Sequence, residues 1–379
     1  MNKITYQAAR EVAIAIEKNF AQHHIEARNI GHTQLAPEIP APIIQAIIDI
    51  TFWASLRREE GHAPKISLAY LAPEMSGQPM LFEKRLRLTP EILTKLAPAV
   101  ERPGIHLGIW ADGKELYIWG TTRQIPGLCF VLEVVEPGLL VVKHRHLDGF
   151  GKFANIAVLK GEQIKIVDER SGKLPDCPAL LTSLLGFPTT SAWNQSTNVL
   201  IQLAISMRAH GRGGSLLVVP TGSSDWQNSI IRPMPYGIAP AYLGISELMQ
   251  QNAAEKSQAQ WQATLRHAIE GVAGLTAVDG ATIISDQYEL LAFGAKIGRP
   301  EGMNPVNEII VTEPVLGIQP KVIHPATNGG TRHLSAAQFV HDQRDALALV
   351  ASQDGRFTIF AWSACEGMVH AHRVDTLLL

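Results

Sequence analysis

The sequence has few cysteines and no surplus of basic residues. Its three cysteines, Cys129, Cys177 and Cys365, are scattered and form no CxxC pair, so neither a zinc site nor a disulfide framework is expected. Lys and Arg number 33 against 35 Asp and Glu, which gives a formal net charge of −2. This balance argues against a nucleic-acid partner, because such proteins need a basic surface for the phosphates.

Long apolar runs are also missing. No run approaches the roughly 20 residues that a membrane-spanning helix needs. Residues 1–10 lack the basic and then apolar order of a secretory signal peptide. We therefore expect a protein without a membrane span, located in the reducing cytoplasm.

The composition is that of a folded globular protein with more than one domain. Apolar residues make up 46% of the 379 residues and charged residues 18%, which excludes a disordered chain. Because one hydrophobic core seldom serves so long a chain, two domains are expected. The segment 169–194, with Pro175 and Gly186, is rich in Pro, Gly, Ser and Thr and is the best candidate for the boundary. We predict an N-terminal domain over 1–190 and a C-terminal domain over 191–379.

The hydrophobic periodicity of the N-terminal half changes from helical to extended. Apolar residues recur at helical spacing over 5–28 and 41–58. Further along, short runs of predicted strand flank turn sequences, and three hairpin-like pairs follow one another over 105–168. The N-terminal domain is therefore predicted to be α+β, with helices followed by a mostly antiparallel sheet.

The C-terminal half alternates between predicted helices and strands. Helices are expected over three ranges: 196–210, 241–271 and 335–342. Strands are expected over six ranges: 215–220, 282–285, 289–297, 306–312, 347–352 and 356–362. This alternation predicts an α/β domain with a mixed sheet flanked by helices.

The segment GGTRHL at residues 329–334 has the composition of a phosphate cradle just ahead of a helix. Glycines let the backbone approach a ligand closely, and the free N–H groups of a helix N-terminus attract an anion. The planar fork of Arg332 can donate two hydrogen bonds to phosphate oxygens, beside the hydroxyl of Thr331 and the imidazole of His333. The alternative is an ordinary capping turn with a surface salt bridge.

Asp279 stands at the entrance of a predicted buried strand and is followed by Gly280. An acidic residue in this context is often a simple turn residue, which is one interpretation. The other is that its carboxylate binds a metal ion or activates a hydroxyl. Mg²⁺ or Mn²⁺ at a phosphate takes one or two carboxylates together with phosphate oxygens, so a single Asp could suffice.

Together these segments resemble the diadenylate cyclase (DAC) domain family, over roughly residues 195–365. That family carries a DGA motif at the start of a strand, which stands here at residues 279–281. Some tens of residues later it carries a GTRHR motif before a helix, matched here by GTRH at residues 330–333. The family's early strand and its small-residue segment resemble residues 214–220 and 292–294.

The resemblance implies an α/β DAC-like fold and an activity, the condensation of two ATP molecules into cyclic di-AMP with release of two pyrophosphates. It implies three catalytic residues, Asp279, Arg332 and His333, and five residues that hold or make room for the nucleotide, Gly280, Ala281, Gly294, Gly330 and Thr331. It also implies Mg²⁺ or Mn²⁺, bound by Asp279. Two such domains face each other with one ATP each, so a homodimer or larger homo-oligomer is implied. The N-terminal domain would then be a sensor that regulates the cyclase in response to an unidentified effector.

The chain departs from the family pattern at three positions. Leu334 replaces the second arginine of GTRHR, and Ser352 and Gln353 stand where the family's metal-binding turn has glutamates. Asp354 is the nearest carboxylate and would be the substitute metal ligand. These departures leave two alternatives: a catalytically degenerate domain that binds a nucleotide as a receptor or scaffold, and a related cyclase that makes another cyclic dinucleotide.

Overall fold

The computed structural model describes residues 4–113, 115–147, 153–169, 177–185, 191–256 and 259–379. Contacts within the chain divide it into two compact units, one of Met1–Val167 with Leu379 and one of Asp168–Leu378. The predicted boundary between residues 190 and 191 stays a prediction, and Pro175 and Gly186 of its linker lie outside the described residues. Within the ranges given above, no helix is long and apolar enough to cross a membrane.

Three α-helices occur in the described residues of the first unit: α1 (Gln7–Asn29), α2 (Ala41–Ser55) and α3 (Pro90–Leu96). Eight strands there form one sheet: β1 (Ser67–Tyr70), β2 (Met80–Arg87), β3 (His106–Asp112), β4 (Glu115–Thr122), β5 (Phe130–Glu136), β6 (Leu139–Arg145), β7 (Phe153–Lys160) and β8 (Gln163–Ile166). Their order is β2-β4-β3-β1-β5-β6-β7-β8. Strands β1 and β3 pair in parallel and the other neighbours pair antiparallel, so the sheet is mixed.

The helices of this unit pack on one face of the sheet. Val12 and Ile16 of α1 and Ile47 of α2 are fully buried in one hydrophobic cluster with Leu107 of β3 and Leu132 of β5. Their spacing follows the helical period on the helices and the two-residue period on the strands, which is the pattern expected of elements that share a core. This cluster is the main core of the first unit.

The opposite face of the same sheet carries a buried polar cluster, because successive residues of a strand point to opposite faces. The Lys143 ammonium donates to Oε2 of Glu133 at 2.6 Å. Nearby, Oγ of Ser67 lies 2.7 Å from Nδ1 of His106. Burial lowers the pKa of His106 to about 4, so its ring is neutral at physiological pH.

In the part of the second unit that the structure describes there are six α-helices: α4 (Ala179–Leu184), α5 (Ser191–Ala209), α6 (Gly244–Gln250), α7 (Ala253–Lys256), α8 (Ala259–Leu275) and α9 (Thr331–Asp342). Nine strands form its sheet: β9 (Gly214–Val219), β10 (Tyr236–Tyr242), β11 (Ala281–Ser285), β12 (Leu290–Ala295), β13 (Ile309–Thr312), β14 (Lys321–Ile323), β15 (Leu347–Ala351), β16 (Phe357–Ser363) and β17 (Met368–Arg373). Their order is β10-β12-β11-β9-β15-β16-β17-β13-β14. The pairs β9–β11 and β13–β17 are parallel and the other neighbours antiparallel.

Helices lie on both faces of this second sheet. Phe339 of α9 is buried in one cluster with Leu217 of β9 and Val350 of β15. Leu216 and Leu349 alternate with those strand residues and therefore point to the other face. Helices α5 and α8 contact each other and also contact β15 and β12, respectively. The expectation of helices combined with a sheet in each half is confirmed as a mixed α/β architecture with two large mixed sheets.

Two predicted helices differ from the structure. The single helix over 241–271 is wrong, because strand β10 reaches Tyr242 and pairs with β12, and the helical part is broken into α6, α7 and α8. Tertiary pairing has overridden local helical preference there. Helix α9 begins at Thr331, four residues before the predicted start at residue 335. Its polar first turn carries no apolar periodicity, which is why the pattern placed the start too late.

Candidate functional site

A cavity of about 840 Å³ lies at one end of the sheet of the second unit. The N-terminal ends of the parallel strands β9 and β11 meet there with the C-terminal ends of β12 and β15, which run antiparallel to them. The N-terminus of α9 and the turn between β15 and β16 complete the wall. The lining includes eight of the nine site residues that the sequence predicts: Asp279, Gly280, Ala281, Gly330, Thr331, Arg332, His333 and Asp354.

The backbone of Gly280 packs directly against that of Gly294 at the end of β12. Gly280 has a φ of +105°, and a Cβ on it would lie 2.5 Å from the carbonyl carbon of Gly294. Gly294 has a φ of +63°, and a Cβ there would lie 2.7 Å from the ring of Tyr236. Both positions therefore require glycine. Gly294 stands behind the cavity wall as the packing partner of Gly280 and does not itself line the cavity.

Asp279 offers a free carboxylate on a fixed loop. The loop between α8 and β11 is held by the buried Thr276, whose hydroxyl donates to the carbonyl of Ala273 at 2.7 Å and lies 3.1 Å from Nε2 of His210. The Asp279 side chain is exposed, and among the described residues no hydrogen bond or ion pair engages its carboxylate. It is therefore available to a metal ion or a hydroxyl group.

The first turn of α9 presents unused backbone donors to the cavity. Gly330 immediately precedes the helix, and no side chain caps this end. The N–H groups of His333 and Leu334 donate to the carbonyl of Gly330 at 3.0 and 3.3 Å. The N–H groups of Thr331 and Arg332 come earlier and have no partner inside the helix. These donors and the positive end of the helix dipole favour an anion.

The guanidinium of Arg332 lies against the turn that enters β9. A Cβ on Gly213 would be 3.0 Å from Nη1 of Arg332 and 3.2 Å from the carbonyl oxygen of Ala351. The side chain is half-buried, and within the described ranges no carboxylate lies at ion-pair distance from it. Its charge therefore lies at the cavity wall without a compensating carboxylate among the described residues, which suits an anion site.

His333 is placed differently from its two neighbours. Its side chain is buried, with Nε2 lying 3.3 Å from Oγ1 of Thr358 and its ring at 70° to that of Phe360. A Cβ on Gly329 would lie 2.5 Å from its Nδ1, so the ring packs directly under the glycine loop. Burial, followed by the charge of Arg373, lowers the pKa of His333. A neutral, packed ring supports the loop, and direct contact of His333 with phosphate stays a prediction.

The turn between β15 and β16 holds Ser352 and Gln353, two of the three positions at which the sequence departs from the DAC pattern that it resembles. The Asp354 carboxylate forms an ion pair with Arg356, in which Oδ2 lies 3.2 Å from Nε. Both side chains are more than half exposed. The amide of Gln353 donates to the carbonyl of Arg212 at 3.4 Å. The N–H of Ser352 donates to the carbonyl of Arg356 at 2.9 Å. Asp354 therefore lies on the cavity but already has a cation beside it.

Two cavity-lining cations were missed by sequence reasoning: Lys296, directly after β12, and Arg356, directly before β16. Neither belongs to a motif, and a basic residue after a strand is usually just solvated. Leu334, at the position of the missing arginine, is exposed on α9 and does not line the cavity. The absence of that arginine was the one available signal that another cation should be sought.

The side chains at the cavity fit one class of metal ion. The described residues contain no group of three or more His, Cys, Asp or Glu side chains that could hold a metal on their own. Asp279 supplies one free carboxylate and Asp354 a second, paired one. Mg²⁺ and Mn²⁺ accept such a set when substrate phosphates and water complete the oxygen ligands. The set does not fit zinc, which takes three or four protein ligands.

Comparison with known protein families finds a match for one segment of the first unit. The model of the probable sensor domain DACNV matches residues 33–123. DACNV is the N-terminal sensor domain of DAC proteins, so this part of the chain is similar to a probable sensor domain. No curated protein matches the chain. A crystal structure described as a hypothetical membrane spanning protein from Bacillus cereus is similar at 13% identity and a TM-score of 0.27, covering 48% of this chain and 65% of its own. The chain thus spans somewhat less than two thirds of that structure, and so low a score supports no inference.

Proposed function

We propose that residues 191–379 form a diadenylate cyclase-type nucleotidyltransferase that condenses two ATP into cyclic di-AMP and two pyrophosphates. One observation carries the proposal. Asp279 and Arg332 are far apart in the chain, yet both line the same cavity, one with a free carboxylate and the other with a free guanidinium. The probable sensor domain in the first unit supports it independently, because DACNV belongs to DAC proteins.

Binding of the triphosphate falls to the first turn of α9. Thr331 and Arg332 both line the cavity, so the N–H groups of this turn and the guanidinium of Arg332 are available to a ligand there. Together they can hold several phosphate oxygens and neutralise charge as it develops on the reacting phosphate. His333 and Gly329 keep this turn in position. Catalysis of phosphoryl and nucleotidyl transfer depends mainly on such positioning.

In the proposed reaction, O3′ of one ATP attacks the α-phosphorus of the other. The O3′–Pα bond forms, the bond from Pα to the bridging oxygen breaks, and pyrophosphate leaves with the electron pair. The proton of the 3′-hydroxyl passes to the exposed carboxylate of Asp279 and from there to water. A second, equivalent step in the opposite direction closes the ring.

Mg²⁺ or Mn²⁺, held by Asp279 and the phosphate oxygens, would supply charge neutralisation at the α-phosphate and pyrophosphate. One cavity holds one ATP, so the two attacking hydroxyls must come from two copies of the chain. The proposal therefore includes a homodimer with facing cavities, at least during turnover, or a larger homo-oligomer. ATP as the substrate is in keeping with a cytoplasmic location.

A second candidate function is a receptor or scaffold that binds the nucleotide without turnover. It is favoured by the ion pair between Asp354 and Arg356, which leaves Asp279 as the one unpaired carboxylate among the described residues that line the cavity. A cyclase of another dinucleotide is the remaining alternative. It has no observation of its own, but the same experiment would detect it.

The test is incubation of the purified full chain with ATP, GTP or both, and Mg²⁺ or Mn²⁺, with products read by mass spectrometry. Cyclic di-AMP with pyrophosphate is the expected result. Another cyclic dinucleotide would correct the base specificity. If the chain binds ATP but forms no product with either Mg²⁺ or Mn²⁺, the result would favour the receptor.

Asp279→Asn should lower the rate by about 10²–10⁴-fold, the usual contribution of a general base, without changing the unfolding midpoint, because the side chain is exposed. Asp345→Asn is the matched control. Asp345 is also exposed but precedes β15, whose opposite end meets the cavity. Equal rates for the wild type and Asp279→Asn would remove Asp279 from the mechanism.

A further inference from the structure

The segment 225–231, which matches no motif, fixes the backbone of Lys296. The N–H of Ile231 donates to the carbonyl of Lys296 at 2.8 Å, and the N–H of Gly298 donates to the carbonyl of Ser229 at 2.9 Å. Between these two hydrogen bonds, Ile230 and Ile297 form an isolated β-bridge. The pairing extends β12 beyond its last residue and holds the Lys296 backbone at the rim of the cavity.

This pairing is itself anchored in the core of the second unit. Trp226 and Ile230 are each 5% exposed and belong to the same hydrophobic cluster as Phe339 of α9. The amide of Gln343, just after α9, donates to Oγ of Ser229 at 2.9 Å. The segment is therefore packed on the helix whose first turn lines the cavity, and Lys296 starts from a rigid backbone position.

The Lys296 ammonium is exposed and lines the cavity, and no carboxylate of the described residues pairs with it. The sheet order places β12 on one side of β11 and places β9 and β15 on the other. Lys296 therefore flanks Asp279 from the β12 side, whereas Arg332 lies against Gly213 and Ala351 on the β9 and β15 side. The two unpaired cations stand on either side of the free carboxylate.

We infer that Lys296 is a substrate-binding residue that contacts the triphosphate of ATP and supplies the positive charge missing at Leu334. This inference rests on the proposed function. Three cations and two carboxylates line the cavity, namely Lys296, Arg332, Arg356, Asp279 and Asp354. Their formal charge is +1, and without Lys296 it falls to zero. Lys296 thus supplies the net positive charge of the side chains at the cavity, which adds to the attraction of a polyphosphate by Arg332 and the first turn of α9.

Loss of this contact should weaken the binding of a nucleoside triphosphate and leave the binding of the nucleoside unchanged. Because Lys296 is exposed, loss of its charge-assisted hydrogen bond should weaken affinity by about tenfold, which corresponds to about 1.4 kcal/mol. Arginine would retain the charge and the reach, whereas alanine removes both.

The experiment is calorimetric titration of the full chain with adenosine and with the α,β-methylene analogue of ATP, which cannot release pyrophosphate. Lys296→Ala should bind the analogue about tenfold more weakly than the wild type, and Lys296→Arg should bind it within about threefold. Adenosine affinity should not change. Lys321→Ala is the matched control, since Lys321 is equally exposed on β14 and does not line this cavity.

The outcomes separate the inference from the proposed function. Equal affinity of the wild type and Lys296→Ala for the analogue, with binding intact, would overturn the inference alone. Equal weakening for adenosine would also overturn it, because the effect would then not depend on the phosphates. Failure of the wild-type chain to bind the analogue would overturn the proposed function and this inference with it.

Discussion

Gly280→Ala should destabilise the second unit, because the structure leaves no room for a Cβ. The added atom would lie 2.5 Å from the carbonyl carbon of Gly294, whereas ordinary van der Waals contact begins at 3.4 Å, so the two backbones would have to separate by about 0.9 Å. Overpacking of this kind costs roughly 1–3 kcal/mol. An alanine at a φ of +105° adds about 1–2 kcal/mol. We expect a loss of about 2–5 kcal/mol in the free energy of unfolding.

The matched control is the same substitution at Gly271 in α8. A Cβ there meets nothing within 4 Å, and replacing a helical glycine by alanine stabilises by about 0.5–1 kcal/mol. The two variants should therefore shift the urea unfolding midpoint in opposite directions, as followed by circular dichroism. A Gly280→Ala variant as stable as the wild type would show that the Gly280 and Gly294 backbones are not in contact.

Three further predictions concern charged groups. Glu133→Gln should cost about 3 kcal/mol in urea unfolding, because it leaves the Lys143 ammonium, whose side chain is 9% exposed, without its carboxylate; the double variant with Lys143→Met should recover most of it. Burial lowers the pKa of His372 to about 3, so the unfolded chain binds a proton that the folded chain excludes, and stability falls as the pH drops from about 6.5 toward 3. His372→Gln should reduce that slope by up to about 1.4 kcal/mol per pH unit, and an unchanged slope would contradict the burial of the neutral ring. Arg356→Ala should change stability by less than about 1 kcal/mol, because its pair with Asp354 is exposed, but should tighten Mn²⁺ binding without nucleotide.

Most strands of the first unit could be predicted because they are short, largely apolar runs that flank recognisable turn sequences. The predicted hairpin-like pairs over 105–168 correspond to strands β3 to β8. Strand β2 was missed, since none of its residues is buried and six of its eight are exposed. It is a strand because β4 pairs with it, which no local pattern reveals.

The motif residues of the candidate site could be found from the sequence, but their arrangement could not. Asp279 and Arg332 each lie in a short motif that contains glycine. The order of the two motifs along the chain was enough to relate both to the same family pattern. Asp279 and Arg332 line the same cavity because the strands have the order β12-β11-β9-β15, which is set by register and packing. The position of the Lys296 backbone depends on pairing with the segment 225–231. That Lys296 lines the cavity could therefore be learned only from the structure.

Ser352 and Gln353, which stand where the DAC pattern has glutamates, do not by themselves decide between the proposed enzyme and the proposed receptor. The pair between Asp354 and Arg356 is exposed, with side-chain exposures of 56% and 57%, and such pairs contribute about 0–1 kcal/mol. A charge-assisted hydrogen bond from Arg356 to a phosphate would be worth about 1.5–3 kcal/mol. A triphosphate in the cavity can therefore draw Arg356 away and leave Asp354 free, beside Asp279, for a metal ion. The second carboxylate would then become available only with substrate bound, so a missing glutamate at Gln353 is compatible with turnover.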